Sequence, residues 1–304
     1  GRTLKGQHFR ICIYDATASK YKVIGMATSC TVTQQNNAEN AGTKDNVNMA
    51  AMPVTTSKSW SVQCESLNAV DAAAMLTAIK SMQPMTLMWD ETSTTDNQTR
   101  EKATFARKGS AYLSDLTLAF NDRENSAKTL QFTGTGALDN VGSSEAVQVI
   151  PLGSYTKGQF VRLFLSADNT AAATMPIAAA RQLQFHVSLT METVTTKDTT
   201  GEWQVQEPTE LSYDISTTAL MRSGETITSQ VTGADMAAIE AFYEAGTPCK
   251  FKIANVSGDN NRTAGTTIVS GSVICQTLTQ NAPNRQVAEY TAQLQGYGDF
   301  TVAA

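Results

Sequence analysis

Two histidines, His8 and His186, are all the imidazole in this chain, so acid–base chemistry near neutral pH would have to run through one of them or through carboxylates. His186 lies on the polar side of an alternating run, Gln184-Phe185-His186-Val187-Ser188-Leu189-Thr190, where an exposed structural histidine is the simplest reading. His8 lies near residue 1, where solvent or a neighbouring subunit is its expected surrounding, and it has no ligand-type partner close in sequence. Glu65, Glu192, Asp214 and Glu289 stand on the polar sides of similar runs. Two of them converging in space could serve a glycan hydrolase, but no motif demands it. Gly134-x-Gly136 and Gly296-x-Gly298 lack the following helix that a phosphate cradle needs, and read as bend or close-approach glycines at strand ends. Cys12, Cys30, Cys64, Cys249 and Cys275 are odd in number, lack metal-type spacing and sit in apolar runs, so they read as reduced core residues. With no GxxxxGK[ST], HExxH, GxSxG or CxxC present, the expectation is a protein that is not an enzyme, with no catalytic, cofactor or metal site.

The elements that position these residues are strands with one apolar and one polar side. Within 25–35, Met26, Cys30 and Val32 oppose Ala27, Ser29, Thr31, Thr33 and Gln35. Within 55–65, Trp60, Val62 and Cys64 oppose Ser59, Ser61, Gln63 and Glu65. The pattern returns later: Phe185, Val187, Leu189 and Met191 against Gln184, His186, Ser188, Thr190 and Glu192, then Leu211, Tyr213 and Ile215 against Ser212, Asp214 and Ser216. Tyr290, Ala292 and Leu294 oppose Glu289, Thr291, Gln293 and Gln295 in the last strand.

The punctuation between strands also occurs twice in one order. Lys5-Gly6-Gln7 returns as Lys157-Gly158-Gln159, Thr43-Lys44-Asp45 as Thr196-Lys197-Asp198, and the closing Gly-x-Gly at an offset of 162. One helix is expected per copy, opened by Asn68 and Asp71 or by Thr232 and Asp235 as capping and first-turn residues. Its apolar stripe is Ala72, Met75, Ile79, Met82 or Met236, Ile239, Phe242, Tyr243, and Pro84 or Pro248 ends it. The fold class expected is mainly β: two tandem β-sandwich or barrel domains, 1–138 and 157–304, each with one flanking helix, joined by a Gly/Ser/Pro-containing linker at 139–156. The long polar connections 36–53 and 195–208 suit contact loops, with Lys44, Asp45, Lys197 and Asp198 as candidates.

A net charge of −5 disfavours a protein that grips nucleic acid through phosphate neutralisation. The densest basic stretch, 100–108, contains Glu101 and reads as a solvated loop flank. No apolar run reaches the length of a membrane helix, and the first residues do not read as a signal peptide.

In their order, Thr-Lys-Asp, Ser59-Trp60-Ser61 or Ser212-Tyr213-Asp214, a helix, a Gly-Ser hairpin opening and a closing Gly-x-Gly resemble the major tail protein, or tail tube protein, family of long-tailed bacteriophages over nearly the whole chain. The resemblance implies a domain that closes, six to a ring, around a β-barrel channel for genome delivery, with rings stacked into a tube. Two copies per chain then imply homotrimeric, pseudo-hexameric rings. It also implies a virion protein assembled in the bacterial host cytoplasm, with terminator, distal tail and tape measure proteins as partners and double-stranded DNA passing without specific binding. Thr31, Thr33, Ser61, Gln63, Glu65, His186, Ser188, Glu192, Ser212, Asp214 and Glu289 are then expected to face the lumen, and the Lys44, Asp45, Lys197 and Asp198 loops to touch the adjacent ring. The inner tube of a contractile injection or type VI secretion system is the nearest alternative, followed by a two-domain immunoglobulin-like adhesin or decoration protein.

Overall fold

The computed structural model describes residues 3–45, 51–67, 72–95, 99–142, 145, 147–148, 156–199, 201–221, 235–257 and 263–303. The fold is mainly β, as the alternating pattern predicts. Its first half runs β1 (Phe9–Asp15), β2 (Lys20–Val23), β3 (Ala27–Asn40), β4 (Pro53–Leu67), α1 (Ala72–Ser81), β5 (Met85–Glu91), β6 (Arg107–Asn121), β7 (Ala127–Asn140) and β8 (Val147–Gln148). The second half runs β9 (Val161–Leu165), β10 (Met175–Pro176), β11 (Ala180–Thr193), β12 (Gln206–Leu220), α2 (Met236–Ala245), β13 (Cys249–Ser257), β14 (Thr263–Asn281) and β15 (Glu289–Val302).

Eight of these strands form one continuous antiparallel surface in the order β3-β4-β7-β6-β11-β12-β15-β14. The joint between halves is β6 on β11, where Thr117 lies opposite His186 and Leu118 opposite Phe185. The long hairpins then leave this surface for a second layer. The first part of β6 pairs with β5, which continues to β1 and β2, and the first part of β14 pairs with β13, which continues to β9. One hydrophobic cluster fills the space between the layers of both halves. Trp60 on β4 meets Trp89 on β5 at 5.8 Å between ring centroids, and Phe185 on β11 meets Phe251 on β13 at 6.1 Å.

The glycine pairs serve this packing. A Cβ on Gly134 would stand 2.2 Å from the Trp60 ring, and one on Gly296 would stand 2.6 Å from the Tyr213 carbonyl. Gly136 and Gly298 instead take left-handed backbone, at φ 75° and 71°. Trp60 Nε1 donates to the Gly136 carbonyl at 3.1 Å, and the Tyr213 hydroxyl donates to the Ser272 carbonyl at 2.6 Å.

Several expectations change. β3 and β12 extend into the supposed connections, because polar strand residues bond across the hairpin without apolar alternation; Asn37 Nδ2 donates to Ser57 Oγ at 2.9 Å. The 139–156 segment is not wholly a linker. Asp139 and Asn140 finish β7 opposite Lys108 and Arg107, and Val147 and Gln148 pair in parallel with β2. The 100–108 run is not a simple solvated flank either, since the Arg100 side chain is 6% exposed and its guanidinium binds the buried Asp90 carboxylate. Lys108 meets Glu145 at 2.6 Å, a hydrogen bond that raises the lysine pKa. At the helices, Asp235 is itself the cap of α2, accepting from the Ala238 N–H at 3.0 Å, while Asn68, Asp71 and Thr232 lie outside the described residues. Ile239 is buried as expected, but Tyr243 is 50% exposed.

α1 reaches across to the second half. Lys80 meets Asp299 at 2.8 Å, donates to the Phe300 carbonyl and stands 5.3 Å from the Phe300 ring centre. The connection before β12 does the reverse. Gln204 N–H donates to the Lys58 carbonyl, and Gly136 N–H to the Gln204 carbonyl, both at 2.9 Å.

Candidate functional site

Side chains alternate across a strand, so the eight-stranded surface has one face on the core and one on solvent. One row across the solvent face reads Ser29, Glu65, Thr129, Thr117, His186, Asp214 and Gln295. The next reads Thr31, Gln63, Gln131, Asp115, Ser188 and Ser212. Thr33 and Ser61 begin a third. No lysine or arginine stands in these rows. Hydroxyls and amides bind one another across neighbouring strands: Ser188 to Ser212 at 2.9 Å, Gln293 Nε2 to Ser216 Oγ at 2.9 Å, and Thr218 to Thr291 at 3.0 Å.

The structure therefore brings Thr31, Thr33, Ser61, Gln63, Glu65, His186, Ser188, Ser212 and Asp214 to one face. Glu192 lies further along β11, opposite Glu207, beyond an irregularity that follows Thr190. Glu289 begins β15 opposite Leu220, 3.5 Å from Arg181. Lys44, Asp45, Lys197 and Asp198 are exposed turn residues in the β3–β4 and β11–β12 connections.

Sequence reasoning missed Asp115. His186 Nε2 lies 2.6 Å from Asp115 and its Nδ1 lies 2.8 Å from Asp214, so both ring nitrogens donate to carboxylates and the ring is an imidazolium. Hydrogen bonding to Asp115, then to Asp214, raises the His186 pKa to about 10. The cluster holds two carboxylates and one cation and straddles the joint between halves. It has the members of an acid–base triad without its working geometry, because each ring nitrogen is already occupied by a carboxylate. The cleft lined by Phe120, Asp122, Arg162, Arg181 and Thr217 includes none of the three. Among the described residues, no group of three or more His, Cys, Asp or Glu side chains is arranged to hold a metal ion, and no helix is long and apolar enough to cross a membrane.

The cysteines are all free thiols, and four of the five are buried. Burial raises the Cys12 pKa to about 12 and that of Cys249 to about 11, which keeps both protonated and unreactive.

The His186 pKa sets a pH dependence. A folded-state pKa above the ordinary 6.5 means that stabilisation is fully present below about pH 6.5 and is lost as pH rises towards about 10. In urea titrations, the stability difference between the native protein and a His186→Gln variant is expected to narrow across that window. A difference that stays level from pH 6.5 to 10 would show that the carboxylates do not hold a charged ring.

No family model matches the chain, and no curated protein matches it. Solved structures similar to this chain include three from tail or virion particles. A chain from the tail of an empty gene transfer agent particle is 17% identical with a TM-score of 0.36, covering 48% of this chain and 95% of that one. The SPP1 tail tube protein is 16% identical with a TM-score of 0.36, covering 48% and 78%. A chain of the native gene transfer agent virion is 16% identical with a TM-score of 0.34, covering 49% and 99%.

Proposed function

We propose that this chain is a structural protein of a long-tailed bacteriophage virion, the building block of its tail tube. In this reading the chain is two copies of one unit in tandem, and three chains close into a pseudo-hexameric ring. The rings stack into a tube whose bore is lined by the polar face, and double-stranded DNA passes along it without being held. Terminator, distal tail and tape measure proteins are its expected neighbours, and assembly takes place in the host cytoplasm.

The observation that carries this reading is the eight-stranded surface with its two unpaired ends. Among the described residues, β3 pairs only with β4, and the part of β14 beyond Val273 pairs only with β15. Open edges of this length invite association, and closing the sheet into a barrel removes them. Three copies would supply 3 × 8 = 24 strands. Barrels of about 16–18 strands already enclose an aqueous channel, so this one would be open rather than filled. A wall of hydroxyls, amides and carboxylates, with the His186 cation already held between Asp115 and Asp214, offers a phosphate backbone little to displace its counterions, which suits passage and disfavours retention.

Electron microscopy of the purified protein tests this. Hollow rings or tubes with threefold or near-sixfold character are expected, and dispersed single chains at high concentration would overturn the reading.

A further inference from the structure

The two halves keep the same pairing register. In the β6–β7 and β14–β15 hairpins, Ala111 faces Gly134 as Val273 faces Gly296, and Asp115 faces Gln131 as Thr277 faces Gln293, an offset of 162. In β3–β4 and β11–β12, Cys30 faces Cys64 as Leu183 faces Thr217, an offset of 153. Both irregularities in that second pair of hairpins recur at the same offset, after Ala27 and Ala180 and after Asn37 and Thr190. The internal joint, β6 on β11, is therefore a template for the joint that the free edges of β14 and β3 lack.

We propose that a second copy of this chain docks its β3 edge on the free part of β14, antiparallel, with Thr279 (117 + 162) opposite Thr33 (186 − 153) of that copy. In the same register Gln280 faces Val32, and Leu278 faces Gln34. This rests on the tube reading and deepens it by fixing the residues in contact.

Burial supports the placement independently. Phe185 and Val187, covered by the internal joint, are 0% exposed, whereas their counterparts Val32 and Gln34 are half-buried and exposed. Leu118 is 0% exposed and its counterpart Gln280 is exposed. Met82 and Gly246, in left-handed backbone at φ 51° and 59°, align the two helix ends at an offset of 164. Ile79, 1% exposed where α1 packs towards the second half, then corresponds to the half-exposed Tyr243 of α2. Carrying the Gln204 contacts forward puts the Ala51 N–H of the second copy on the Leu211 carbonyl (58 + 153), and the Gly298 N–H (136 + 162) on the Ala51 carbonyl. The exposed apolar side chains Met52 and Tyr297 adjoin that contact.

The new joint also differs in chemistry from its template. His186, Asp115 and Asp214 correspond to Thr33, Thr277 and Ser61, so the joint between chains is neutral where the joint within the chain carries charge. Gln34 and Gln280 replace Val187 and Leu118. An edge that meets water before assembly gains solubility from those amides, while the internal joint, covered as the chain folds, is free to be apolar.

A Thr33→Cys/Thr279→Cys double variant tests the register, joined by mild oxidation or a short bis-maleimide after assembly. A covalent ladder ending at a closed trimer on denaturing gels is expected, with none from the native protein, whose thiols are mostly buried. Rings by microscopy with no cross-link, or with stronger cross-linking from Thr31→Cys/Thr279→Cys, overturn the register and leave the tube reading standing. Absence of rings from the native protein overturns both.

Discussion

Arg100→Ala is expected to lower the free energy of unfolding by about 3–5 kcal/mol, because it leaves the Asp90 carboxylate charged, buried and without its cation. Asp90 is 4% exposed at its side chain, and it accepts from the Glu91 N–H at 2.7 Å and the Ala103 N–H at 2.9 Å as well as from the Arg100 guanidinium. Those backbone donors organise the turn leading from β5 to β6, and they aim at an oxygen whose charge the arginine balances. Arg100 also donates to the Gly142 carbonyl at 2.8 Å, which ties the chain beyond β7 to the same place. Losing the guanidinium thus unfastens two connections at once. Urea denaturation gives the measurement, and an Asp90→Asn/Arg100→Gln double variant sharpens it. With no charge left buried, the double variant is expected to lose less than the single one. A single variant within about 1 kcal/mol of the native protein would contradict the buried-pair account, since that is the range of an exposed pair.

Arg100 also illustrates what a sequence hides. A basic residue in a short polar run looks solvated, and only the register of β5 brings Asp90 beneath it. The strand faces, by contrast, were legible because a period of two leaves little freedom. Trp60, Val62 and Cys64 could not be buried without turning Ser61, Gln63 and Glu65 to the other side. Asp115 escaped for a local reason. Ser114 is an extra residue in β6, set between the Leu113–Phe132 and Asp115–Gln131 pairs, and it shifts the parity of everything after it. His186 and Asp115 lie 71 residues apart on strands of different halves, so no spacing rule could join them. Tyr243 was placed in the core by helical spacing alone. The chain by itself covers only part of that helix, and under the docking proposed above a second copy covers the rest.

If the polar face lines a channel, adding cations to it is expected to convert a wall that releases DNA into one that retains it. Gln63→Lys and Glu65→Lys are the substitutions of choice, since both side chains are exposed on β4 and neither takes part in the His186 cluster. Asp214 is unsuitable because its loss would leave His186 with a single carboxylate. Glu192 is unsuitable because it faces Glu207, so that a lysine there would relieve a like-charge pair and stabilise the hairpin for an unrelated reason. Exposed strand positions tolerate such changes with about 0.5 kcal/mol of effect on folding, which keeps assembly intact while the bore gains charge. Each new lysine that meets a phosphate should steepen the fall of log binding constant with log salt by about 0.9. Tubes of the double variant are therefore expected to bind duplex DNA at low salt and to lose it steeply as salt rises, and virions carrying it to eject their genome more slowly. If both variants leave DNA binding and ejection unchanged in well-formed tubes, the face points away from the path of the genome. The sheet would then have to close with its polar side outward, contrary to the channel lining proposed above.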